Sequence, residues 1–260
     1  MSTNTPAEFT TLALPAQRGV AVLRFSRPPA NLINLQLARE IAIEAERAGK
    51  HESVAALVLY GDERIFSAGD DLAEIGTWSP DQAVALASDH SRHLGVLPTV
   101  PCPTVAAITG YCLGGALELA LGADRRVVGD NVKLGLPQLH HATVPTAGME
   151  PLIRLVGLRA ARDLVYSGRY VEAEEALRLG LVDEVVAPDD VYDAAHRWAA
   201  GFTGRSGAAV AAAKSVLATP ERHSSHAMSA WIGLALTGEP QRAAAAYAAD
   251  GPNPAPGTGR

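Results

Sequence analysis

Gly110-Tyr111-Cys112-Leu113-Gly114-Gly115-Ala116-Leu117-Glu118-Leu119 sets two adjacent glycines just ahead of a lone carboxylate, inside an otherwise apolar run. Glycine lets a backbone approach a ligand closely, and a helix that starts here aims free N–H groups at it. A glutamate on the first turn then stands beside an anion-stabilising site, which suits chemistry next to a carbonyl that carries transient negative charge. Each part also has a plainer reading. The glycines can serve close helix–sheet packing alone, and Glu118 can satisfy a free N–H and favour the positive end of the helix dipole. Ala116, Leu117, Leu119, Ala120 and Leu121 predict a largely buried setting for Glu118. A buried, unpaired carboxylate is costly, which favours the functional reading. Burial raises its pKa and the helix terminus lowers it, so the balance stays open at this level.

Outward from this segment the chain alternates strand and helix signals. Val20 to Phe25 reads as a first clear strand, closed by Arg27-Pro28-Pro29, after a Thr/Ala/Pro-rich stretch over 1–18 that holds at most one frayed strand. Leu37, Ile41, Ala45 and Ala48 follow helical spacing and predict a helix over 35–48. Val54 to Tyr60 is a continuous apolar run, as a strand buried on both faces should be. Thr104 to Thr109 repeats that character after Pro101 and Pro103, which are expected to end the preceding helix. Val127-Val128 and Val132 to Leu134 are short strand candidates around the turn signal Gly129-Asp130-Asn131. From about residue 146 the pattern turns helical, apart from an apolar turn at Leu181 to Val186. This alternation predicts an α/β class with right-handed crossovers over a buried sheet. The expected organisation is a core over 1–200, a helical segment over 201–250 and a flexible Gly/Pro-rich tail over 251–260.

Composition narrows the function classes. With 48% hydrophobic and 19% charged residues over 260 positions, the chain can bury a sizeable core and is not globally disordered. A formal charge of −6 with scattered Lys and Arg offers no basic field for nucleic acid. Cys102 and Cys112 form no disulfide framework, and no Cys/His spacing resembles a zinc site, so no metal is expected. The N-terminus lacks a basic-then-apolar signal pattern and no apolar run is long enough for a bilayer, so the expectation is a cytoplasmic protein with no membrane partner.

A second loop carries chemistry of its own. Phe66-Ser67-Ala68-Gly69-Asp70-Asp71-Leu72 follows the buried strand at 54–60, and open α/β sheets put ligands at the carboxyl ends of such strands. The Asp70 N–H, after the flexible Gly69, is a candidate donor to a ligand oxygen. The plainer reading is a strand–turn–helix joint with Asp71 as N-cap. Two glycine-containing joints together could assemble a two-donor cradle for a carbonyl oxygen. A nicotinamide-binding domain would need Gly-x-Gly-x-x-Gly after the first strand, where Arg27-Pro28-Pro29 stands instead. A serine hydrolase would need a Gly-x-Ser-x-Gly elbow, and Ser67 is followed by Ala-Gly.

Five stretches taken in order resemble the crotonase, or enoyl-CoA hydratase/isomerase, superfamily. They are Arg27-Pro28-Pro29-Ala30-Asn31, then 66–72, then Pro103 to Gly110 running into Gly114-Gly115. Gly135-Leu136-Pro137-Gln138 follows, ahead of Val144-Pro145, Gly148 and Leu155-Val156-Gly157. Ser167-Gly168-Arg169 comes last, with Ala173, Ala176 and Gly180-Leu181-Val182-Asp183. The resemblance spans about residues 20 to 220, with weaker agreement to about 247.

It implies a spiral of ββα units, a helical C-terminal segment used for trimerisation, and acyl-CoA thioester substrates. The implied assembly is a homotrimer or a dimer of trimers. No cofactor is implied, because coenzyme A is part of the substrate. By position, the N–H groups of Asp70 and Gly115 form an oxyanion hole and Glu118 is a catalytic glutamate that activates water. Arg27, Ala30, Ser67, Ala68, Asp71, Leu72 and Gly114 fall where substrate is bound. Gln138 departs from the pattern, since hydratases keep a second glutamate there. Glutamine hydrogen-bonds but transfers no proton at neutral pH, and acid–base participation is typically worth about a hundred- to ten-thousandfold in rate. His140 and His141 lie close by in sequence as possible compensators. The stretch 243–250 also lacks the basic pair that many relatives carry near the CoA nucleotide. The implied reaction is hydration of a 2,3-enoyl-CoA. Isomerase, hydrolase or decarboxylase chemistry through the same enolate, and non-catalytic acyl-CoA binding, are the alternatives.

Overall fold

Val54–Tyr60 is buried at every one of its seven positions. Leu57 and Leu59 enter one hydrophobic core, whereas Ala56, Val58 and Tyr60 enter a second. Side chains alternate across a strand, so a strand with a core on each side must be apolar at both parities.

The computed structural model describes residues 7–218 together with Met228, Gly233, Thr237, Gly238 and Arg242. In chain order it begins with β1 (Thr10–Ala13), β2 (Gly19–Phe25), α1 (Leu35–Lys50), β3 (Val54–Tyr60), the single turn α2 (Leu72–Ile75) and α3 (Pro80–Leu94). Next come β4 (Thr104–Ile108), β5 (Tyr111–Leu113), α4 (Gly115–Leu121), β6 (Arg125–Gly129), β7 (Lys133–Gly135) and α5 (Met149–Ser167). The chain continues through β8 (Val171–Glu172), α6 (Ala173–Leu179), β9 (Glu184–Val186), α7 (Val191–Ala200) and α8 (Gly207–Leu217).

The main sheet has the order β1-β2-β3-β4-β6-β9, antiparallel between β1 and β2 and parallel elsewhere. Its registers include Val22↔Val58, Val58↔Val105 and Ala107↔Val127. A smaller sheet, β5-β7-β8, lies beside it. The α1 residues Leu37, Ile41 and Ala45 share the larger core with α4 and α5. Val191, Ala194, Ala195 and Ala199 of α7 cover the opposite face.

Most expected elements occur within two residues of their expected ends, and three short strands do not follow the reading. Leu181 to Val186, read as an apolar turn, contains β9, the sixth strand of the main sheet. β5 and β8 also went unread, because two or three residues are too few to display a period. α3 ends at Gly95, and a 3₁₀ turn at Leu97–Thr99 separates it from the prolines expected to end it. The expected helical segment at 201–250 begins with α8. Apart from the five isolated positions, 219–250 and the expected tail at 251–260 lie outside the described residues, and so does the departure noted at 243–250. Among the described residues no helix is long and apolar enough to cross a membrane.

Lys214 ties α8 to the core. Its Nζ, on a side chain 10% exposed, bonds Asp124 Oδ2 at 2.6 Å and donates to the Leu97 and Cys102 carbonyls at 3.2 and 3.1 Å. Asp124 in turn accepts from the Thr104 N–H at the start of β4. Lys214→Met keeps the aliphatic stem but leaves these acceptors without their shared donor. We expect a loss of about 1–3 kcal/mol in unfolding free energy, measured by urea denaturation; no loss would contradict the anchoring role.

Candidate active site

Two loops at the carboxyl ends of adjacent strands converge. The loop after β3 carries Ala68, Gly69 and Asp70, and the chain after β4 and β5 carries Gly114 and Gly115. Gly69 has φ +104°, and a Cβ there would sit 2.9 Å from the Leu113 carbonyl oxygen, so the two loops meet backbone to backbone. Gly114 is the N-cap of α4, with φ +52°. Asn31, only 2% exposed, fastens the preceding loop by donating from Nδ2 to the Ile65 and Phe66 carbonyls and accepting the Arg27 N–H at Oδ1.

The Asp70 N–H meets no protein acceptor among the described residues. The Gly115 N–H donates to Asp70 Oδ2 at 2.9 Å. Asp71 N-caps α2, its side chain accepting the Glu74 N–H, and pairs with Arg27 at 2.8 Å.

Glu118 is 4% exposed and accepts three hydrogen bonds. Gln138 Nε2 donates to Oε1 at 2.9 Å, while the N–H groups of Thr146 and Gly148 donate to Oε2 at 2.6 and 2.8 Å. Burial pushes its carboxyl up to about 7, against the Gly148 and Thr146 N–H bonds that lower it, and the Asp70 carboxylate adds to the rise. The Glu118 backbone N–H closes a helical bond to Gly114. Its side chain reaches across to 146–148 instead of capping its own helix, so the capping alternative does not hold. The pocket around this carboxylate is lined by Ala68, Asp70, Leu72, Gly114, Glu118 and Gln138, with apolar walls from Ile75, Trp78, Ala87, Pro137 and Val144.

Residues 15–234 match the model of the enoyl-CoA hydratase/isomerase family. The chain belongs to this family. It is 49% identical over 197 residues, 75% of its own length and 76% of the relative's, to a Mycobacterium tuberculosis protein named "probable enoyl-CoA hydratase EchA17". Among solved structures it resembles an enoyl-CoA hydratase from Bacillus anthracis, with TM-score 0.81, 28% identity and coverage of 87% of this chain and 91% of that one. A Thermobifida fusca protein whose crystal structure is in complex with CoA matches with TM-score 0.78, 26% identity and coverage of 89% and 94%. The fold is the crotonase fold.

Within that frame the sequence-derived site residues divide. Ala68, Asp70, Leu72, Gly114, Glu118 and Gln138 share one pocket, and Gly115 adjoins it through Asp70. Ser67 is fully buried, and its Oγ accepts the Gly69 N–H, so it shapes the loop. Arg27, Ala30 and Asp71 stand outside this pocket wall; the Ala30 carbonyl accepts the Ala68 N–H. His140 hydrogen-bonds Ser167 O at 3.0 Å at the end of α5, away from the pocket, whereas His141 lines it. Both cysteines are buried and burial raises both thiols, Cys102 to about 11, so neither is a ready thiolate. Thr146, Gly148, Trp78 and His90 were missed. The first two act through backbone N–H groups, which carry no side-chain signature. His90 comes from α3 and Trp78 from the turn before it, both outside the two glycine joints.

The raised Glu118 pKa has a consequence for stability with a definite sign. Between pH 4.5 and about 7 the folded protein holds a proton on Glu118 that the unfolded chain has released, so the stability it confers is full below 4.5 and is lost as pH rises towards 7. Glu118→Gln does not titrate. We expect its thermal midpoint, relative to wild type, to climb through this window; parallel midpoint curves would contradict the raised pKa.

Proposed function

We propose that the protein hydrates 2,3-enoyl-CoA thioesters through an enolate, with Glu118 as the sole proton shuttle. The observation that carries the reading is the buried Glu118 carboxylate, its pKa near neutrality, facing the same pocket as the Asp70 N–H. A general base works best with its pKa near the operating pH. The apolar walls suit an acyl chain.

The thioester oxygen sits between the N–H groups of Asp70 and Gly115. Glu118 takes a proton from water while the water oxygen bonds to the β carbon, and the electron pair of the double bond moves to the thioester oxygen as an enolate. The two N–H donors stabilise that charge. Glu118 then delivers the proton to the α carbon and the carbonyl reforms. Water thus adds in full, with no cofactor and no net proton change.

Gln138 holds Glu118 in place and moves no proton. Its Oε1 has no hydrogen-bond partner among the described residues, so turning the amide over gives the protonated Glu118 an acceptor. The pair can thereby serve both protonation states of the carboxyl. Substrate contact by Ala68, Leu72 and Gly114 is part of the proposal, and Arg27 and Ala30 belong to the loop proposed to flank the pantetheine arm.

Purified protein with crotonyl-CoA should bleach the enoyl-thioester ultraviolet absorbance, and Glu118→Gln should abolish the bleaching. Because the unprotonated carboxylate starts the reaction, kcat at saturating substrate should fall on the acid side as Glu118 becomes protonated, approaching about tenfold per pH unit. Gln138→Glu should raise the rate by adding a second acid–base group; a drop would mean that Gln138 serves a different reaction. Binding of CoA esters without turnover at any chain length would sink the hydratase reading in favour of a non-catalytic binder.

The proposed assembly is a homotrimer or a dimer of trimers in the cytoplasm. His140 packs on Gly168, and their chain neighbours Leu139, Tyr166 and Tyr170 are exposed. Sedimentation should give a trimer or hexamer mass; a monomer would refute the assembly.

A further inference from the structure

Asp70 brings a carboxylate to the pocket as well as an N–H. Oδ2 accepts the Gly115 N–H at 2.9 Å. A Cβ placed on Gly115 would lie 2.3 Å from Oδ1, and one on Gly114 would lie 2.8 Å from Oδ2, so the carboxylate is seated directly on the two glycines. It occupies the position that a ligand oxygen must take to accept the same N–H. Two oxygens cannot occupy that one seat, so a thioester oxygen can enter only if the Asp70 side chain leaves.

The group that can receive it is His90, on the pocket-facing side of α3. Its Nε2 lies 3.7 Å from Asp70 Oδ1, and the two side chains are 13% and 15% exposed. At 3.7 Å the contact is longer than a hydrogen bond, so His90 holds the carboxylate only after it has moved. The charged and titratable neighbours of the ring are Asp70 and, on α2, Glu74. Glu118 of α4 and His141 line the same pocket. Asp89, Arg92 and His93 share its helix, and Arg39 of α1 acts on His93. Burial holds the ring's pKa below its ordinary value against the pull of Asp70 and Glu74, so the free protein carries it neutral at neutral pH.

We propose that His90 is a positioning residue that draws the Asp70 carboxylate off the Gly115 N–H when a thioester oxygen arrives, taking up one proton from solvent as it does so. The proposal rests on the oxyanion-hole reading above. The only bond formed is the second ring N–H of His90, and that proton returns to solvent when the ligand leaves. Close approach of the carboxylate raises the His90 pKa in the complex above its value in the free protein. Thioester affinity is therefore highest at low pH and declines as pH rises through the pKa of the complex. The arrangement also selects for ligands that carry a carbonyl oxygen, since only these vacate the glycine seat.

The test is calorimetric titration of the full chain carrying Glu118→Gln, which removes the other group that titrates near neutrality in the pocket, in buffers of different ionisation enthalpy at about neutral pH. Butyryl-CoA serves as a saturated thioester that cannot be hydrated, and S-butyl-CoA as the thioether that lacks the carbonyl oxygen. Butyryl-CoA should bind with net proton uptake and S-butyl-CoA with none. His90→Phe should abolish the uptake and weaken butyryl-CoA about tenfold or more relative to S-butyl-CoA. His90→Gln keeps an N–H donor that does not titrate, and should recover part of the affinity without the uptake. In Asp70→Asn, removing His90 should cost nothing further. Equal proton uptake with both ligands, or unchanged butyryl-CoA affinity in His90→Phe, would overturn the role of His90 while leaving acyl-CoA binding intact. Failure of both CoA derivatives to bind would instead overturn the acyl-CoA reading and the His90 role with it.

Discussion

A carboxylate that is 4% exposed needs fixed donors in place of water, and the structure around Glu118 is arranged to supply them. The Thr146 and Gly148 N–H groups come from the chain entering α5, and the third donor comes from Gln138, on the turn after β7. These bonds bind two separate segments to one side chain on α4. Gly148 must be glycine for this, since a Cβ there would fall 2.7 Å from Glu118 Cγ. The donors do not cancel the desolvation. The carboxyl is left near neutrality, where it can both accept and return a proton.

The main sheet makes that arrangement rigid. Both β3 and β4 are buried from end to end, and both feed loops into the pocket at their carboxyl ends. Apolar burial on two faces fixes the strand ends, and the contact of Gly69 with Leu113 then fixes the two loops against one another. An oxyanion site assembled from separate segments requires this kind of support, because its donors must already be aligned when charge develops. Asn31 extends the same logic to the loop at 27–31, which hangs from the carbonyls of 65–66.

The parts of this plan with a strong period or a backbone requirement were legible in the sequence. Val54–Tyr60 reads as a doubly buried strand because seven consecutive apolar residues have few other uses, and Gly114-Gly115 reads as a helix start because the carboxylate follows so closely. The family pattern brought Asp70, Gly115, Glu118 and Gln138 together before any coordinates, and the structure groups them. What stayed hidden had a physical reason in each instance. β5, β8 and β9 are held by pairing with distant strands and are too short to carry a pattern of their own. Thr146 and Gly148 contribute N–H groups that every residue but proline has. His90 sits on a helix whose exposed surface is mostly polar, where one histidine among Asp89, Arg92 and His93 looks like solvated surface.

Gln138 and Asp70 are best understood together. Glutamine at 138 places no charge beside Glu118, while Asp70 brings a negative charge to the pocket at a different place, on the Gly115 N–H. A second glutamate at 138 would compete with Glu118 for one proton, as like-charged neighbours do. An aspartate at 70 instead raises the Glu118 pKa across the pocket without sharing its proton. Its charge also opposes an enolate oxygen for as long as it stays on Gly115. With Asp70 and Gly115 as the proposed oxyanion donors, the site is electrostatically ready for an enolate only once that carboxylate has moved. A ligand that displaces it relieves Glu118 of a neighbouring charge as it does so, and the base that begins the reaction is then more fully ionised than in the free protein. On the proposed mechanism, the entry of the carbonyl oxygen and the readiness of the base are one event, coupled through the Asp70 side chain.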